Sequence, residues 1–182
     1  MSYHITSYST QEQLPQEMLQ LYKEAFPADE RRSWDTSKDV TNFMDSHKDM
    51  YMSFIRDENN SFAGFIIYWN LTEKTIYVEH LATLPYLRGN GLGAMLISNL
   101  INTSGCRVLL EVEPPDNDIS RRRIEFYRRQ NMIIHNDLPY RQPPYSPDKQ
   151  AIDLCIMSTP DISDHELSSK IIPRLHQLVY EV

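Results

Sequence analysis

The 182-residue sequence predicts an α/β (α+β) fold: a mixed, mostly antiparallel twisted sheet flanked by helices. Three observations predict it. Three strand-like runs between residues 50 and 84 are joined by turn segments short enough for hairpins. A glycine-rich segment, Pro85-Tyr86-Leu87-Arg88-Gly89-Asn90-Gly91-Leu92-Gly93-Ala94-Met95-Leu96, then opens an apolar helix. After it, Arg107 to Val112 is nearly continuously apolar, the pattern of a strand buried on both faces, so strand, helix and strand form a parallel crossover.

The elements follow in order. Tyr3 to Tyr8 alternates and reads as a first strand. Gln11 to Phe26 carries Leu14, Met18, Leu21, Tyr22 and Ala25 at helical spacing and stops at Pro27; Ser37 to His47 is a weaker second helix with Val40, Phe43 and Met44 on one side. Met50 to Arg56, Ser61 to Trp69 and Thr75 to Leu84 are the meander strands, separated by Asp57-Glu58-Asn59-Asn60 and by Asn70-Leu71-Thr72-Glu73-Lys74. The helix from Leu92 ends at Gly105, a residue suited to the left-handed cap. Ile119 to Gln130 is a further helix, followed by a strand at Met132-Ile133-Ile134, a Pro- and Tyr-rich excursion from Leu138 to Asp148, and a last strand from Ala151 to Met157. Ser163 to Tyr180 reads as a helical tail interrupted at Pro173. The expected organisation is one domain over residues 1–160 with a tail over 161–182.

A net charge of −7 argues against a general nucleic-acid binder, because neutralising phosphates requires a basic surface. Cys106 and Cys155 are isolated, without the spacing of a zinc site or a disulfide framework, so no metal is expected. The N-terminus lacks the regions of a secretory signal, and no apolar run approaches a membrane span. The expectation is a cytoplasmic protein, a monomer or homodimer, that needs neither membrane nor nucleic acid.

Glycines at alternate positions before a helix let backbone N–H groups crowd a phosphate. The spacing Gly89-x-Gly91-x-Gly93 departs from the dinucleotide fingerprint, which also requires an early strand and an acidic residue about twenty positions on. No Gly-Lys-Ser/Thr follows, so the segment is not a Walker loop either. A Ser-His-Asp hydrolase has no G-x-S-x-G elbow to support it.

Arg88-x-x-Gly91-x-Gly93 resembles the R/Q-x-x-G-x-G/A pyrophosphate loop of the GNAT N-acyltransferase superfamily. The order of elements resembles that family too, and Phe126-Tyr127-Arg128-Arg129-Gln130-Asn131-Met132 looks like its F-Y-x-x-x-G-F segment. Phe26-Pro27-Ala28-Asp29-Glu30-Arg31-Arg32 resembles the connection between its first two helices. Two departures stand out. Asn131 replaces the glycine, a mild change because asparagine tolerates a left-handed helix end, and Arg121 replaces a cofactor-contacting asparagine.

The resemblance implies a GNAT-like acyl-CoA N-acyltransferase fold and acetyl-CoA (coenzyme A) as cosubstrate. It implies transfer of the acetyl group to a primary amine of a small-molecule or peptide acceptor in a ternary complex. An acyl-CoA-binding sensor or interaction module without turnover is the alternative. By resemblance, Arg88, Gly89, Asn90, Gly91, Gly93 and Ala94 hold the pyrophosphate, and backbone groups of Leu81 and Thr83 meet the pantetheine arm where that strand splays from the next. Tyr127 matches the tyrosine that protonates the departing thiolate. The base is expected at Glu79, which strand alternation puts on one face with Tyr77, Leu81 and Thr83 and opposite His80. Some relatives carry their glutamate at the position of Tyr77. Burial beside the cleft would raise the Glu79 pKa. Glu111 and Glu113, on the following strand, are candidates to anchor a cationic acceptor or to replace Glu79. Trp34, Tyr140 and Tyr145 are candidates for an aromatic wall on the acceptor side; Arg121, Arg122 and Arg123 are candidates to approach the cofactor's 3′-phosphate, although a run of three reads first as a solvated helix face.

Overall fold

The computed structural model describes residues 2–182. Among the described residues eight strands form the sheet: β1 (Tyr3–Ser7), β2 (Met50–Asp57), β3 (Phe62–Thr72), β4 (Thr75–Thr83), β5 (Arg107–Val112), β6 (Ile133–Ile134), β7 (Tyr140–Gln142) and β8 (Ile152–Ser158). Their order is β1-β2-β3-β4-β5-β8-β6, with β7 paired to β8. β2 to β4 are antiparallel neighbours, as their short turns require; β1 returns through α1 and α2 to pair antiparallel with β2, and β4–β5 is the parallel pair. Helices α1 (Gln16–Ala25) and α2 (Ser37–Ser46) cover one face, and α3 (Leu92–Ser104) and α4 (Asp118–Arg128) cover the other.

Two details of the sequence reading shift. The first helix begins five residues later than its apolar spacing suggests, because Pro15 sits at its start, where a missing N–H costs nothing. The excursion between the last two predicted strands contains β7.

The parallel pairing of β4 with β5 is short. It joins Thr75–Val78 to Arg107–Leu110, while the other edge of β5 pairs Leu109–Val112 with Ser158–Cys155. From Glu79 to Thr83, β4 keeps only β3 as a neighbour, and the sheet splits.

A β-bulge sits at that split. Ile67 pairs with His80 and Tyr68 with Val78, which leaves Glu79 as an extra residue on β4. One inserted residue reverses the alternation beyond it. Glu79 reaches Trp69 on the α1/α2 side, and His80 packs on Tyr22 and Phe26 on that same side. Leu81 turns to the α3 side, where its side chain meets the Gly93 position. The expected placement of Glu79 with Leu81, opposite His80, is therefore corrected: Glu79 and His80 share a face, with side chains 4.0 Å apart.

The tail is a helical run over residues 164–180 that packs on its own domain. Leu167, Ile171, Leu175 and Val179 are buried at every fourth position. That spacing suits the two wide π-type turns, Leu167–Ile171 and His176–Tyr180, that flank Pro173. The wide turns accommodate the donor missing at Pro173, so the helix continues where the sequence suggests an interruption. Among the described residues no helix is long and apolar enough to cross a membrane.

Candidate active site

Two adjoining cavities occupy the split and the mouth of the glycine segment. The first, about 480 Å³, lies between β4 residues Val78 to Thr83 and β5-side residues Leu110 to Glu113. The second, about 420 Å³, is bounded by Gly89, Gly91, Gly93, Ala94 and the Phe126 side of α4. Leu81, Thr83 and Arg88 line both, so one groove runs from the helix N-terminus into the sheet.

The glycine segment builds an open helix start. Gly89 and Gly91 have φ of 86° and 75°, the left-handed region that favours glycine. Gly91 is the N-cap of α3 and has no side chain to satisfy the N–H groups of Leu92, Gly93 and Ala94; Met95 N–H is the first to bond back, to the Gly91 carbonyl at 2.9 Å. By contrast, α2 and α4 are closed by capping boxes from Thr36 and Asn117. A Cβ at Gly91 would meet no protein atom within 4 Å, so the space before the helix is free for a ligand. At Gly93 a Cβ would lie in ordinary van der Waals contact with the Leu81 and Phe126 side chains, at 3.4 Å, so α3 here sits beside both β4 and α4. Asn90 spends its side-chain amide on the Leu87 carbonyl, which shapes the turn.

At the far side of the first cavity stand two carboxylates with opposite surroundings. The Glu79 side chain has no solvent exposure. Its Oε2 accepts from Trp69 Nε1 at 2.7 Å, and its Oε1 lies 3.2 Å from Arg32 Nη2. Burial works to raise its pKa, but the Arg32 charge, with help from His80 and the Trp69 N–H, holds it below the usual carboxylate value. Arg32 is itself clamped: it donates to the Val179 carbonyl at 2.8 Å and lies over the rings of Phe43, Trp69 and Tyr145. The raised pKa expected for Glu79 is thus reversed by a partner 47 positions earlier in the chain. His80, buried beside this pair, has its pKa pushed down to about 4 chiefly by burial and is neutral at physiological pH.

Glu111 is half-buried and lines the cavity. Its Oε2 accepts from Tyr77 Oη at 2.7 Å and Tyr180 Oη at 2.8 Å, and its Oε1 accepts from Tyr140 Oη. Burial raises its pKa to about 7, with the three phenols pulling the other way. A carboxyl group poised near neutrality in a cleft can exchange a proton at working pH. Glu113, two residues on, pairs with Arg123 at 2.7 Å at the cavity wall, facing Glu30. Burial first, then the Glu113 charge, raises the Glu30 pKa.

Tyr127 lines the same cavity from α4, and burial pushes its pKa up to about 12. Among the described residues its hydroxyl has no hydrogen-bond partner. Asn131 ends this helix with φ 61°, the left-handed conformation anticipated for it. Tyr145 stands in the cavity wall. Tyr140 is engaged with Glu111, and Trp34 is buried against Tyr22 and Phe43, away from the cavity wall. Trp34 therefore supports the wall from behind and does not form it. Of the arginine run, Arg121 pairs with Asp118 and Arg123 with Glu113.

Sequence reasoning missed Tyr180, Tyr77 as a partner of Glu111, and Arg32. It also gave no sign of His135, which bridges Asp164 and Ser158. That Ser-His-Asp set is not a nucleophile site: Ser158 has no exposure and donates its hydroxyl to the Thr159 carbonyl, so the set fastens the tail helix to β8.

A family model described as the acetyltransferase (GNAT) family matches residues 15–132. No curated protein matches the chain. Among solved structures, a putative GNAT-family acetyltransferase from Bacteroides thetaiotaomicron is similar at a TM-score of 0.83 and 26% identity, over 98% of this chain and 99% of that one. A GNAT-family acetyltransferase from Elizabethkingia anophelis with acetyl-CoA bound has a TM-score of 0.57 at 10% identity, over 86% and 97%. A spermidine N-acetyltransferase mutant from Vibrio cholerae has a TM-score of 0.61 at 9% identity, over 93% and 98%. The last two likenesses are of fold.

Proposed function

The chain belongs to the GNAT acetyltransferase family, and on that premise we propose that it moves an acetyl group from acetyl-CoA to a primary amine within a ternary complex. One observation carries the reading. The open N-terminus of α3, at Arg88-x-x-Gly91-x-Gly93, adjoins a cavity made by the separation of β4 from β5.

The pyrophosphate of coenzyme A lies against the free N–H groups of Leu92, Gly93 and Ala94, with Arg88 adding charge. The pantetheine arm runs along the unpaired edge of β4 at Leu81 and Thr83, taking the place of a neighbouring strand. The acceptor amine enters past Glu24, Glu30 and Glu113, carboxylates that favour a cationic molecule.

Glu111 takes the proton from the attacking amine. Its pKa near 7 leaves a large ionised fraction at neutral pH, whereas Glu79 is closed off and committed to Arg32. The nitrogen then adds to the thioester carbonyl, and a backbone N–H of the unpaired β4 edge stabilises the oxyanion. Collapse breaks the carbon–sulfur bond, and Tyr127, protonated throughout the physiological range, donates its proton to the leaving thiolate.

Two outcomes test these roles. Gly91→Val adds bulk in the ligand space and strains a left-handed residue by about 1–2 kcal/mol. It is expected to abolish the rise in melting temperature that coenzyme A gives the wild type; an undiminished rise would remove the phosphate site from this loop. Tyr127→Phe is expected to lower kcat by about 10²-fold while leaving coenzyme A binding intact. An unchanged kcat would assign thiolate protonation to another group or to water.

A further inference from the structure

Three phenols from three separate parts of the chain converge on one carboxylate. Tyr77 comes from β4, Tyr140 from β7, and Tyr180 from the final turn of the tail helix. Tyr77 and Tyr180 also touch each other, Oη to Oη at 3.0 Å. A carboxylate offers about four lone-pair sites. Here three are filled by donors on different elements, so the group cannot rotate freely, and one site is left on a carboxylate that lines the cavity.

The tail is built to deliver the third donor accurately. Leu175 and Val179 are buried, and Arg32 grips the Val179 carbonyl. Beyond the last wide turn, Glu181 turns left-handed at φ 59°, Val182 N–H closes on the His176 carbonyl at 3.2 Å, and Glu181 pairs with His47 at 3.0 Å. The Tyr180 ring packs on Tyr145 at 5.1 Å and sits 6.1 Å from the His176 ring, so it holds its place without its hydroxyl.

We infer that Tyr180 is a positioning residue for Glu111, and that the C-terminal helix is thereby part of the catalytic apparatus. The inference rests on Glu111 being the base. The groups facing Glu111 are Tyr77 and Glu79 from β4, Tyr140 from β7, Tyr145 from the segment between β7 and β8, and Tyr180 from the tail, with His176 one turn earlier. Of these, Glu79 opposes ionisation of Glu111 and the hydroxyls of Tyr77, Tyr140 and Tyr180 favour it.

The test is the pH profile of kcat/KM for wild type, Tyr180→Phe, Leu175→Ala and Glu111→Gln, with melting temperatures for each. Removing the Tyr180 hydroxyl removes a stabiliser of the ionised carboxylate, so the acid limb of Tyr180→Phe is expected to move to higher pH by about one unit. Leu175→Ala, which loosens the helix that carries Tyr180 but keeps its hydroxyl, is expected to lower the melting temperature and to move the limb in the same direction by less than Tyr180→Phe does. An unmoved limb in Tyr180→Phe, together with loss of the limb in Glu111→Gln, overturns the positioning role and leaves the base in place. An equal movement in Leu175→Ala overturns it as well, by tracing the effect to general loosening. A limb that survives Glu111→Gln unchanged overturns the base assignment itself.

Discussion

Replacing Glu111 by glutamine is expected to reduce kcat/KM by about 10²- to 10⁴-fold, the usual worth of a positioned general base. Glutamine keeps the shape and can still accept hydrogen bonds through its carbonyl oxygen, but it cannot take a proton. On the proposed mechanism the ionised form is the base, so activity is expected to rise as pH increases through about 7. The same proton appears in stability. The folded state raises the Glu111 pKa above its unfolded value, so the stability linked to this group is complete below about pH 4.3 and is lost as pH rises through about 7. Glu111→Gln removes that slope. Measuring pH–rate profiles and melting temperatures of both proteins checks the two effects separately, and an active variant with the wild-type pH profile would remove Glu111 from the mechanism.

Glu79→Gln is expected to act on stability. It leaves the Arg32 guanidinium, 9% exposed at its side chain, without its counter-charge in the core. Breaking a buried pair by removing one partner costs about 3–5 kcal/mol, which for a chain of this size lowers the melting temperature by on the order of 10 °C. Here the sign is opposite to that of Glu111. The folded state lowers the Glu79 pKa, so its contribution is present above about pH 4.3 and is lost as pH falls through the lower folded value. Thermal melts at pH 7 and in acid check this: the gap between wild type and variant narrows as the acid protonates Glu79. A variant as stable as wild type at pH 7 would show that the pair does not hold the 27–36 connection to β4.

The contrast between these glutamates explains what the sequence could and could not disclose. The glycine segment was legible because its constraint is local: left-handed backbone at Gly89 and Gly91, and a helix immediately after. The meander and the crossover were legible for the same reason, being written in turn residues and apolar runs. The state of Glu79 was not, because two non-local facts decide it. A bulge leaves no mark in residue type, yet it reversed the facing of Leu81 and set His80 beside Glu79. Arg32 lies in a connection whose sequence reads only as charged, and nothing in that stretch says that it folds beneath three aromatic rings. Tyr180 was hidden by distance along the chain, since it meets Glu111 69 residues away through a helix whose wide turns absorb Pro173.

Acetyl transfer to an amine in the proposed groove between β4 and β5 is tested by release of free thiol from acetyl-CoA by the wild-type protein, with and without a panel of primary amines. Thiol release is expected to depend on a cationic amine and to rise with pH through about 7. A protein whose melting temperature coenzyme A raises, but which releases no thiol with any amine, would contradict it and leave an acyl-CoA-binding module in its place.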